Sequence, residues 1–142
     1  MSNVLPATRD ALVKRLAEYE TLVEVGIGHR TDVAAALSRR ARVIATDVHD
    51  RPVPDGVAFV RDDVAEPRSD VYADADAVYS LNCPPELHRP LRAVARDHGA
   101  DCLFTTLGGD GPAVAADPET LPGETLYVPS SGPGGGAFGG RA

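Results

Sequence analysis

The sequence has no tryptophan, one methionine, two cysteines and, at Lys14, a single lysine. Each scarcity excludes something. Cys83 and Cys102 are too few for a small disulfide-stapled secreted domain. They also lack the spacing of metal ligands, so no metal site is expected, and both read as reduced thiols, Cys102 within a buried strand. The four histidines, His29, His49, His88 and His98, are not spaced as metal ligands either. His29 and His49 follow strand ends and read as loop residues beside a pocket; His88 is expected near the same rim. No apolar run approaches the roughly 20 residues that span a bilayer, so no membrane partner is expected. The N-terminus, MSNVLPATRDALVKRL, lacks the basic start and apolar stretch of a signal peptide, and the expected location is cytoplasmic. No basic patch interleaved with aromatics is present, so nucleic-acid binding is not supported.

What is present is enough for one core. The chain has 142 residues, 43% of them hydrophobic, which predicts a single domain over 1–129. The remainder, SSGPGGGAFGGRA at 130–142, reads as a flexible Gly-rich tail. The net charge is −7, carried with arginine rather than lysine and with more aspartate than glutamate. That combination resembles proteins of salt-loving archaea, whose aspartates keep the surface hydrated; an ordinary acidic protein from a GC-rich genome would share it. Acidity argues against nucleic acid, less so in concentrated salt, where charge is screened.

Apolar positions at Leu12, Leu16 and Tyr19, widened by Val13, predict an amphipathic helix over Pro6–Tyr19. Short apolar runs predict strands at Leu22–Val25, Ala41–Val48, "VAFV" before Arg61, Asp76–Leu81, "DCLFTTL" from Asp101, and "GETLYVP". A helix capped by Thr31 or Asp32 buries Val33, Ala36 and Leu37. A second, with Leu87, Leu91, Val94 and Ala95 on its apolar face, is expected to become regular near Pro90 and to stop at Gly99. Strands alternating with helices predict an α/β fold with a mainly parallel sheet covered on both faces, a Rossmann-like αβα sandwich of five to six strands.

In such sheets ligands bind beyond the carboxyl ends of the strands, and the polar residues gather there. Gly26 and Gly28 occupy a strand-to-helix turn that lets a ligand approach the backbone, or they are simply turn glycines. Asp47 ends the second strand about 20 residues later, where a carboxylate can accept both ribose hydroxyls; an acid capping a loop is the plainer reading. Glu24 is unusual, an acid in an apolar strand two residues before the first glycine. Buried without a partner it would be costly. A ligand ammonium would explain it, as would an arginine beside an exposed edge strand. An ammonium at that point suits S-adenosylmethionine rather than a dinucleotide.

Together "VEVGIGHR", "VIATDV", "RDDV" and "DAVYSLNCPP" resemble the successive cofactor motifs of class I S-adenosylmethionine-dependent methyltransferases over Leu22–Leu107. With its short chain and "YSLNCPPEL", the sequence more narrowly resembles a small archaeal family of unassigned function with that Rossmann-like fold. The resemblance implies that Glu24, Gly26 and Gly28 contact the methionine end of S-adenosylmethionine. It puts Asp47 on the ribose, Asp63 and Val64 by the adenine, and Asn82 beside the transferred methyl group. Two departures stand out. Arg30 occupies the place of the usual third glycine, narrowing the pocket or adding positive charge near the carboxylate. "NCPP" inserts a cysteine into an Asn/Asp-Pro-Pro-aromatic pattern and lacks the aromatic, and Asn82 can equally cap the turn before Pro84. Three classes of function remain open: a methyltransferase of unknown acceptor, a non-catalytic ligand-binding or partner protein on the same fold, and a NAD- or other nucleotide-binding enzyme. The oligomeric state is not legible.

Overall fold

The structure, a computed structural model, describes residues 5–129; the Gly-rich tail lies outside the described residues. The elements run α1 (Pro6–Leu16), β1 (Thr21–Val25), α2 (Asp32–Leu37), β2 (Arg42–Asp47), β3 (Val57–Arg61), α3 (Ser69–Tyr72), β4 (Ala77–Ser80), α4 (His88–Asp97), β5 (Asp101–Phe104), β6 (Ala116–Leu121) and β7 (Glu124–Pro129). They form one seven-stranded sheet in the order β3-β2-β1-β4-β5-β7-β6. Pairing from β3 to β5 is parallel throughout, whereas β7 runs antiparallel to both β5 and β6. The order reverses between β1 and β4, the switch point at which open parallel sheets bind ligands.

Alternation along the strands divides the core. Leu22, Val43, Ala45, Ala77, Tyr79 and Leu103 face Leu12, Leu16, Val33 and Leu37 of α1 and α2. Val23, Val25, Val78, Cys102 and Phe104 face Val71, Tyr72, Leu91 and Val94 of α3 and α4. Both cysteines are buried and free, and burial raises the pKa of each thiol, that of Cys102 to about 12.

The sheet has one strand more than the sequence suggests. β6 and β7 are a hairpin around Pro122 and Gly123, and β6 is a polar edge strand with Pro118 in it, so it carries no apolar signal of its own. Gly123 has φ +72° and a Cβ there would lie 2.6 Å from Thr8 Oγ1, whose hydroxyl donates to the Pro122 carbonyl at 2.6 Å. Gly123→Ala is therefore expected to destabilise the chain by roughly 2–3 kcal/mol, from backbone strain and loss of that bond. A denaturant midpoint within error of the parent would contradict this.

The helix boundaries also differ. α1 ends at Leu16 rather than Tyr19, closed by the backbone of Ala17. Pro90 is the third residue of α4, in the first turn, where a missing N–H costs nothing; a 3-10 turn at Pro85–Leu87 precedes it. Thr31 is the N-cap of α2 but makes no side-chain capping bond.

Candidate functional site

The candidate residues lie at four strand ends and in the turns after them. The β1 end is held to β2 by the Gly26 and Ile27 amides, which donate to the Thr46 carbonyl at 2.9 and 3.0 Å. Gly26 (φ +71°) and Gly28 (φ +56°) are both left-handed, and a Cβ on Gly26 would meet nothing within 4 Å. The glycines are thus required by backbone conformation while the space above the turn stays open. Arg30, at the third-glycine position, is not among the left-handed residues, so its place needs no glycine.

Glu24 is 1% exposed. Its partner is Tyr79, directly opposite across β1 and β4, whose hydroxyl donates to Glu24 Oε1 at 2.7 Å. The edge-strand alternative is overturned: β1 is central, and no arginine lies within ion-pair distance of Glu24 among the described residues. Burial pushes the Glu24 carboxyl up to about 7; the Tyr79 bond and the charge of Arg30 oppose this, and Asp32 adds to it. Burial and the neighbouring carboxylate hold the Tyr79 hydroxyl well above its ordinary value, so it is a committed donor. A carboxylate with one neutral donor in a buried site is undercompensated.

Asp47 is buried at the β2 end and already engaged. Oδ2 accepts from the Gly28 amide at 2.9 Å and Oδ1 from the His49 amide at 3.0 Å, and Arg51 Nε lies 3.3 Å from Oδ1. Burial disfavours the charge, but the two amides and Arg51 outweigh it and hold the carboxyl below its usual range. Arg51 also contacts His29 Nε2 at 3.1 Å.

Beyond β3 the two aspartates divide. Asp63 is exposed and accepts from the Ala65 amide at 2.9 Å. Asp62 is buried and accepts from Tyr72 Oη and the Arg68 amide, both at 2.9 Å, which makes it a structural anchor. The Val64 side chain is buried, and its amide makes no hydrogen bond among the described residues.

Beyond β4, Asn82 is exposed with φ 54°, a left-handed conformation that asparagine tolerates better than most residues. Its amide donates to Thr105 Oγ1 at 2.7 Å, while its side chain makes no hydrogen bond among the described residues, so the turn-capping role is not seen. His88 is not on the rim. It is fully buried against Phe104, with Nε2 donating to the Cys83 carbonyl and Nδ1 accepting from the Ala113 amide, each at 2.9 Å. It staples the Asn82 turn to the loop after β5.

Sequence reasoning missed Tyr79, Arg51 and Val48. The signal for Tyr79 is a tyrosine in a buried strand, whose hydroxyl must find a partner. Val48, 49% exposed directly after Asp47, signals an apolar surface at the strand end. No three His, Cys, Asp or Glu side chains group as metal ligands among the described residues, and no helix among them is long and apolar enough to cross a membrane.

This architecture, with its glycine turn and strand-end acids, is a methyltransferase-like Rossmann fold. An RNA methyltransferase from Salinibacter ruber, solved with S-adenosyl-L-homocysteine, superposes with a TM-score of 0.64 at 19% identity, covering 94% of this chain and 97% of that one. A Burkholderia thailandensis 1,6-didemethyltoxoflavin-N1-methyltransferase gives 0.53 at 19%, covering 85% and 59%. At these identities the likeness establishes the fold. The chain belongs to the family described as "Uncharacterised protein family (UPF0146)", which matches residues 9–127. A member from Halobacterium salinarum is 50% identical over 115 residues, 80% of this chain and 89% of its own. One from Archaeoglobus fulgidus is 49% identical over 90 residues, 63% and 69%. Archaeal and haloarchaeal relatives accord with the arginine- and aspartate-rich composition.

Proposed function

We propose that this chain binds S-adenosylmethionine across the ends of β1, β2 and β3, and that a methyl acceptor approaches from the Asn82 side. The observation that carries the reading is Glu24, a buried acid at the switch point whose ionisation the protein alone does not support. A ligand ammonium supplies the missing charge. The other residues fit around it. The open space over Gly26 admits the ligand close to the backbone. Asp47 presents Oδ1 to a ribose hydroxyl once Arg51 gives way. Asp63 and the Val64 amide, unpaired among the described residues, offer an acceptor and a donor side by side for an adenine edge, and Val48 gives its ring an apolar surface. That two neighbours of the same fold were solved with S-adenosylhomocysteine supports a ligand of that class by analogy.

When bound, S-adenosylmethionine supplies a methyl group on an activated sulfonium, so the protein's work is alignment rather than acid–base chemistry. Asn82, whose backbone amide is held by Thr105 and whose side chain is exposed at the β4 end, accepts a hydrogen bond from an acceptor amine in this reading.

Titration calorimetry with S-adenosylmethionine and, for comparison, NAD, in low and in molar salt, tests the reading. Saturable binding of the first alone is expected. Asp47→Ala should weaken it roughly 10- to 100-fold, because the ribose acceptor and the Gly28 anchor are lost together. Absence of S-adenosylmethionine binding by folded protein in both salts would overturn the proposal. NAD binding in its place would favour the nucleotide enzyme.

A further inference from the structure

We propose that Arg30 determines specificity by taking the carboxylate at the amino-acid end of the ligand, so that Glu24 and Arg30 together read an α-amino-acid zwitterion. The inference rests on the S-adenosylmethionine reading of the site. Arg30 is only partly exposed, and its Nε and Nη2 are buried without a hydrogen-bond partner among the described residues. Its nearest acid, Asp32, stands 3.7 Å from Nε, too far for a hydrogen bond, and that Asp32 oxygen is itself unpaired. Two unmet N–H donors on one buried guanidinium are costly. They form the flat fork that a carboxylate fits with two parallel bonds.

The surrounding charges select the ligand. The charge of Arg30 reaches Glu24 and Tyr79; its ion pair is a long one with Asp32 at 3.7 Å, not one with Glu24. A site holding Glu24, Asp32 and one guanidinium repels a dianion such as a phosphate. It suits a ligand with one ammonium and one carboxylate close together. Arg30 therefore does more than replace a glycine; it supplies the half of the recognition that Glu24 cannot.

The experiment is calorimetric titration with S-adenosylmethionine and with its decarboxylated form, which keeps the adenosine, sulfonium and amine. The full chain, Arg30→Gln and Arg30→Lys are compared. The unmodified chain is expected to prefer the carboxylated ligand by roughly 10- to 100-fold. Arg30→Gln should bring the two affinities within about threefold by weakening only the carboxylated ligand, and Arg30→Lys should keep part of the preference. Equal affinities in the unmodified chain would overturn the inference while leaving the cofactor reading intact, and need no variant to fold. So would a preference that survives Arg30→Gln. Tighter binding of both ligands by Arg30→Gln would make Arg30 a plug in the amine subsite instead. Binding of neither ligand by the unmodified chain would remove the cofactor reading, and this inference with it.

Discussion

Glu24→Gln is expected to weaken S-adenosylmethionine binding by about 100-fold, the worth of a buried charge-assisted hydrogen bond, and to leave any NAD binding unchanged. Glutamine keeps the shape and can still accept from Tyr79, so the loss isolates the charge. The pH dependence adds a second signature. The free carboxyl titrates near 7, so in the unmodified protein each unit of acidification below that point should cost about tenfold in affinity. Above roughly 7.7–8.0, the usual range of an α-amino group, the ligand loses its own proton and affinity falls again. A bell centred between these limits is expected. In Glu24→Gln the acid limb should vanish. Calorimetry from pH 5.5 to 9 reads both limbs, and equal dissociation constants for variant and parent would end the assignment of Glu24 to the ammonium.

The same substitution should make the ligand-free chain more stable, and increasingly so as pH rises. The Glu24 carboxyl is raised from 4.5 to about 7 on folding. Between those values the folded state holds a proton that the unfolded state has released, so stability is fully present below the unfolded value and is lost as pH rises through the folded one. At about 1.4 kcal/mol per unit, the loss above pH 7 is on the order of 3 kcal/mol. Glutamine escapes it but buries an amide whose N–H groups need partners, at about 1–2 kcal/mol. The expected net gain is about 1–2 kcal/mol at pH 8, turning into a small deficit at pH 5, where Glu24 is already neutral. Denaturant unfolding of both proteins at the two pH values measures this. A difference that does not change with pH would show that Glu24 is not the group responsible. The two expectations belong together: an ionisation that destabilises the empty protein is the one a cationic ligand would reward.

The parallel part of the sheet was legible because each strand is a short apolar run, and β1, β2 and β3 end in or run straight into glycine or aspartate. β6 was not, since Asp117, Pro118 and Glu119 read as loop and become a strand only through pairing with β7. Nor was α3, whose four residues are too few to show a period. At the site, an acid before a glycine turn announces that Glu24 needs a partner, but the register that sets Tyr79 opposite it is a property of the assembled sheet. The same holds for Arg51, brought onto Asp47 by the turn after β2, and for His88. The sequence put His88 ahead of a helix expected to become regular near Pro90, whereas it is the first residue of α4. Its burial beneath the Asn82 turn depends on Phe104 and on a loop 25 residues away.

The reversed strand has a practical meaning. Tyr127 pairs with Phe104 at the carboxyl end of β5, and the antiparallel course of β7 then carries the chain toward the opposite rim. At Pro129, the last described residue, the strand is heading away from the glycine turn. A fusion partner, fluorophore or surface linker joined at that point starts its reach away from the site. Immobilising the protein through Pro129 itself should leave the carboxyl ends of β1 to β4, where the candidate residues lie, facing solution.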